Sequence, residues 1–181
     1  DISPKIKEVA GNFDVAYVRP LKGYSLHTEY SYKSRKFDTN LISSFNTIKE
    51  SHRDFVPMLW ANEKWALEFS EFIIKLVGNN RPPKIIEVHP PFNDYCSSID
   101  DFLKIYELFE KSISKKYPET EIFIENRYGT LYRGGKFLIS KADEVERLCR
   151  SISRMSLKLR IVLDFPQLFS AYNLGSGKFT E

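Results

Sequence analysis

Apolar residues fall along this chain in two textures. Short β-branched or aromatic runs occur at FDVAYVR (13–19), FVPMLW (55–60), KIIEVH (84–89), EIFIENR (121–127) and LRIVLDF (159–165). They are nearly continuous rather than alternating, as expected of strands buried on both faces of a parallel sheet. The second run is the weakest, because Pro57 cannot donate to a strand ladder. Between the runs the apolar positions change to helical spacing. Residues 62–77 carry Trp65, Phe69, Phe72, Ile73 and Leu76; residues 100–113 carry Phe102, Ile105, Phe109 and Ile113; residues 140–152 carry Val145, Leu148, Cys149 and Ile152. Ser98 is placed to cap the second helix, and Ser140 with Asp143 makes a loose capping box for the third. A fourth helix is expected over 38–52. The polar, aromatic stretch 20–40 reads as a long loop after the first strand.

Strand and helix thus alternate along the chain, which predicts an α/β fold with parallel strands, either a doubly wound sheet or a (β/α) barrel. The last three strands share a further feature. Each ends in a polar residue: His89, then Glu125-Asn126, then Asp164. A carboxylate at the end of a buried strand is costly unless it is paired, hydrogen-bonded or metal-bound. Three in succession, on strands of nearly constant spacing, place a His, a Glu and an Asp on the carboxyl-end rim where α/β folds build sites. Glu87 and His89 are two apart and share a face; Glu87 lies a layer deeper and is expected to be paired. His, Glu and Asp on one rim are a reasonable divalent-metal set. The plainer reading is that they cap loops and pair with Arg127 or Arg160.

Composition narrows this little. Of 181 residues 42% are apolar and 14% aromatic, which fits a globular chain, read as one domain over 1–181. The net charge of +3, from 27 basic and 24 acidic residues, is too mild to demand nucleic acid. Cys96 and Cys149 have no metal-type spacing and read as reduced thiols. No run is long and apolar enough for a membrane span and no signal peptide is visible, so a cytoplasmic protein without a membrane partner is expected.

The motifs EVHPP, IFIENRYG and LRIVLDFPQLFSA, in that order and spacing, resemble the successive strand-end motifs of the xylose isomerase-like TIM barrels. That superfamily holds sugar isomerases and epimerases and the type 2 AP endonucleases. Its patterns run His-Pro-Gly, Glu-Asn and Asp-x-x-His. Here Pro91 stands where Gly is usual, and Gln167 where His is usual. The resemblance implies a TIM-type barrel, of which about five βα units are present. It implies Glu125 and Asp164 as metal ligands, with His89 a further ligand in the endonucleases or a substrate contact in the isomerases, and His89 and Gln167 in catalytic or substrate-orienting roles. The cofactor would be a divalent metal, Mn, Mg or Zn. The activity would be isomerisation or epimerisation of a sugar or sugar phosphate, or alternatively metal-dependent cleavage of abasic DNA. A barrel that has lost catalysis and serves as a binding module is a third reading. Gln167 is a neutral, weak oxygen ligand and speaks against a full zinc endonuclease site.

Five strands do not close an eight-stranded barrel. The chain is therefore read as a fragment, or as an incomplete barrel whose edge takes a partner, its own copy included. ENRYGTLYRGGKF (125–137) offers Asn126, Arg127 and Arg133 as substrate or phosphate contacts. The tyrosine-rich, basic stretch 24–36 reads as a surface loop, and His27 and His52 are given no role.

Overall fold

The elements form where local sequence favours them, and a computed structural model describes residues 23–28, 44–53, 56–129 and 135–172. In chain order they are β1 (Ser25–His27), α1 (Asn46–Glu50), β2 (His52–Arg53), β3 (Val56–Pro57), α2 (Glu63–Val77), β4 (Ile85–Val88), α3 (Ile99–Lys116), β5 (Glu121–Glu125), α4 (Ala142–Met155), β6 (Arg160–Val162) and α5 (Phe165–Ala171). Four strands make one parallel sheet in the order β1-β4-β5-β6, and β2 and β3 form a separate antiparallel pair. The protein is therefore α/β.

The helices start and stop on recognisable chemistry. The Asn62 side chain accepts from the Trp65 N–H at 2.9 Å to open α2, and Gly78, at φ 54, closes it. Ser98 caps α3 through the Asp101 N–H. For α4 the box lies one residue later than expected. Lys141 holds the cap position, and Glu144 Oε2 accepts from the N–H groups of both Ser140 and Lys141, each at 2.8 Å. Glutamate reaches back over one turn where the shorter Asp143 does not.

Ile86 and Val88 of β4 and Ile122 and Ile124 of β5 point to one face and join Trp60, Trp65, Phe69, Phe102, Phe109 and Ile113 in a single core. The alternate residues Ile85, Glu87 and Phe123 are only half-buried and belong to the other face. Helix α4 is pinned to α3 by Asp100, which accepts from Ser151 Oγ at 2.7 Å and pairs with Arg154 at 2.6 Å.

Three expectations change. The strand beside β4 comes from 25–27, inside the stretch read as loop; the expected strand at 13–19 lies outside the described residues. The described residues of the run 55–60, from 56 on, do not enter the main sheet. Only Val56–Pro57 pairs, with His52–Arg53, and Trp60 then takes φ 61 and turns its indole into the core. Of the expected 38–52 helix, the described residues show one short piece, 46–50.

Candidate metal centre

The parallel register builds the site. His27 of β1 lies opposite Glu87 of β4, and Val88 lies opposite Ile124 of β5, so His89 and Glu125 are neighbours one step further on. With the two-residue period of a strand, Glu87 and His89 share the half-buried face. Side chains meet accordingly. His27 Nδ1 is 2.6 Å from Glu87 Oε1, and His89 Nε2 is 3.1 Å from Glu125 Oε2. The two imidazoles meet edge to face, with centroids 4.9 Å apart. One ligand atom from each of His27, Glu87, His89 and Glu125 lies within 4.8 Å of the others, a spacing that could hold a metal ion.

The two pairs differ in environment. The His89 and Glu125 side chains are 0% and 12% exposed, whereas those of His27 and Glu87 are 40% and 20% exposed. Burial pushes the His89 imidazole below its ordinary value, more strongly than its Glu125 hydrogen bond raises it. His89 is thus neutral at neutral pH, the form that ligates metal. Burial works to raise Glu125, but the His89 hydrogen bond and the Arg127 guanidinium outweigh it and bring the carboxyl down to about 2. Arg127 Nη1 donates to Glu125 Oε2 at 2.6 Å. Thr28 fixes the β1–β4 end by donating its N–H and Oγ1 to the Glu87 carbonyl, at 3.0 and 2.8 Å.

Of the other expected site residues, Asp164, Gln167 and Asn126 are not among the four. Asp164, expected as a ligand, is not in the four-residue group. It caps α5, accepting from Gln167 N at 3.1 Å and Gln167 Nε2 at 2.8 Å. Gln167 Oε1 in turn accepts from the Tyr128 N–H at 3.1 Å, so its amide is spent on tying α5 to the chain after β5. Asn126 does the same work between strands, donating to the Asp164 carbonyl and accepting the Asp164 N–H. Arg127 meets Glu125, as the plainer reading had it. Arg133 lies outside the described residues. Sequence reasoning missed His27, and took Glu87 for a buried partner only. The sole signal for His27 is Leu26, one apolar residue between polar ones, too short to show a period.

No protein-family model, no curated protein and no solved structure matches this chain. The likeness to xylose isomerase-like barrels therefore rests on the order and spacing of its motifs. No helix among the described residues is long and apolar enough to cross a membrane.

Proposed function

We propose that this chain is part of a (β/α) barrel that holds one divalent metal ion at His27, Glu87, His89 and Glu125 and serves isomerisation or epimerisation of a sugar or sugar phosphate. The observation that carries the reading is the gathering of two imidazoles and two carboxylates within 4.8 Å at the carboxyl ends of adjacent parallel strands. The donor set fits: neutral nitrogen and anionic oxygen ligands suit zinc or manganese. The barrel is supported by the sheet's two unlike faces, one apolar and shared with the helices, the other half-buried and carrying the polar group. Exposed Leu163, Phe165 and Phe169 beside β6, the last strand of the described sheet, support continuation into further βα units.

A divalent ion bound there would supply Lewis acidity to an oxygen beside the carbon that exchanges its proton. The chain's own groups divide the remaining work. Glu125, kept ionised by His89 and Arg127, holds negative charge at the buried end. The His27–Glu87 pair, with side chains 40% and 20% exposed, faces the open side, so substrate would approach the ion across it.

The test is titration of the chain with Mn²⁺ and Zn²⁺, followed by incubation of the loaded protein with aldose and ketose phosphates in D₂O. About one ion per chain, and deuterium entering next to the carbonyl, are the expected results. No binding of either ion would end the metal reading. A second activity is favoured by the two imidazoles, since zinc with histidine donors suits hydrolysis. Nicking of an abasic-site duplex, without deuterium exchange into sugars, would replace isomerisation by phosphodiester cleavage.

A further inference from the structure

We infer that Arg127 is a positioning residue that acts as the resident counter-cation of this centre, restricting it to a single divalent ion and weakening the hold on that ion. The inference rests on the metal reading above.

Arg127 follows Glu125 by two residues, beyond the end of β5, and its side chain turns back to the same carboxylate. Its Nη1 reaches Glu125 Oε2 at 2.6 Å, the oxygen that also meets His89 Nε2. The guanidinium also lies over two aromatic rings. Its central carbon lies 5.7 Å from the Tyr128 ring centroid and 5.8 Å from that of Phe137. Phe137 stacks on Phe92 with centroids 4.0 Å apart, and an antiparallel bridge joins the same two residues. The Arg127 N–H donates to the Ile139 carbonyl at 2.9 Å. A cation at 7% exposure, clamped by two rings and its own backbone, is a fixed charge.

Its place decides its effect. Two carboxylates and two imidazoles are donors enough for a pair of ions sharing a bridge. A positive charge already bonded to Glu125 stands where a second cation would approach that carboxylate, and it repels the first. With Arg127 present the charge of the group is one negative unit, against two without it.

A purely structural arginine predicts something different. Its loss would lower stability and would lower, or leave unchanged, affinity for metal. The counter-cation role predicts opposite signs: lower stability without metal, higher affinity for it.

The experiment compares the wild-type chain with Arg127→Met, whose length and apolar stem keep the contacts with Tyr128 and Phe137, and with charge-retaining Arg127→Lys. Each is titrated calorimetrically with Zn²⁺ and Mn²⁺ and melted with and without the ion. Arg127→Met is expected to melt lower without metal, to bind the first ion roughly tenfold or more tightly, and to take up a second. Arg127→Lys is expected to stay within about threefold of wild type. Binding by Arg127→Met where wild type shows none would overturn the inference, since the wild-type centre would then hold no ion for the arginine to restrict. Unchanged or weaker binding by Arg127→Met, beside a wild type that binds, overturns it and leaves the metal centre standing. Failure of Arg127→Met to fold even in excess ion also overturns it. Absence of binding in all three chains removes both readings.

Discussion

The indole Nε1 of Trp60 donates to the backbone carbonyl of His89 at 2.7 Å. Trp60 is 1% exposed, and the rings of Trp65, Phe69, Phe102, Tyr106 and Phe109 surround it at centroid distances between 5.3 and 5.9 Å. Its backbone, at φ 61, sits in the left-handed region that a bulky residue adopts only when its surroundings hold it there. The hydrogen bond places the strand end that carries His89 against the rigid α2–α3 core.

Replacing Trp60 by Phe keeps a ring in that cluster but removes the donor to His89. The expected loss is about 1–3 kcal/mol, read as a lower midpoint in urea unfolding. An unchanged midpoint would mean that the contact with His89 adds nothing to the ring packing.

The buried pair also makes stability depend on pH. His89 has a folded value below its ordinary 6.5, so on acidification the unfolded chain takes up the proton first. Stability is full above about pH 6.5 and is lost as the pH falls from there through the folded value. Glu125 is depressed from 4.5 to about 2, so its contribution is present above 4.5 and is lost as the pH falls towards 2. Urea midpoints measured from pH 7.5 downwards should therefore fall in a long acid limb. In Glu125→Gln the part of that limb below pH 4.5 should flatten. Equal midpoints at pH 7.5 and 5 would show that His89 is not held neutral.

Much of this architecture was readable where segments are long and periodic. Residues 62–77 and 100–113 announce α2 and α3 because aromatic residues recur every third or fourth position, and Ser98 marks the start of the second. The strands at Ile85–Val88 and Glu121–Glu125 read as buried because isoleucine, valine and phenylalanine dominate them. The pairing of His89 with Glu125 follows from polar residues ending such strands. His27 was hidden because a three-residue strand has no period; only its register against β4 places it. Asp164 both ends a strand-like run and begins α5, and in the sequence a carboxylate at a strand end and one at a helix start look alike. The following Phe165-Pro166, with proline in the first turn, was the signal for a helix start.

Gly129 is the close approach between the chain leaving β5 and α5. A Cβ there would lie 2.7 Å from both Cα and Cβ of Ala171. Gly129→Ala must push α5 outward and strain the bond from Tyr128 to Gln167. The expected cost is about 1–3 kcal/mol. Hydrogen exchange should show faster amides in α5 with α2 and α3 unaffected; uniform protection would place the strain elsewhere.

Glu110 ties α3 to the entry of β6. Its carboxylate, 9% exposed, accepts from Tyr106 Oη at 2.8 Å and from the Lys158 N–H at 3.1 and 3.0 Å. Glu110→Ala leaves a buried phenol and an N–H without this acceptor and should cost about 2–4 kcal/mol. Tyr106→Phe leaves Glu110 accepting from the Lys158 N–H and should cost only about 1 kcal/mol. Chemical unfolding of the two variants, side by side, checks the ordering; equal costs would reassign the role to the phenol.

The ligand set itself separates the arrangement in space from the pattern along the chain. If the centre is His27, Glu87, His89 and Glu125, then His27→Ala removes a nitrogen donor and should weaken Zn²⁺ or Mn²⁺ binding by more than about tenfold, since even outer contacts to a metal are worth that much. Asp164→Ala removes only the α5 cap. It should cost about 1 kcal/mol of stability and leave affinity within about threefold. Calorimetric titration of the variants and the wild type at pH 7.5 reads both effects. The reverse ranking, with Asp164→Ala the damaging change, would return the ligand role to the strand-end carboxylate and require α5 to unwind when the ion binds.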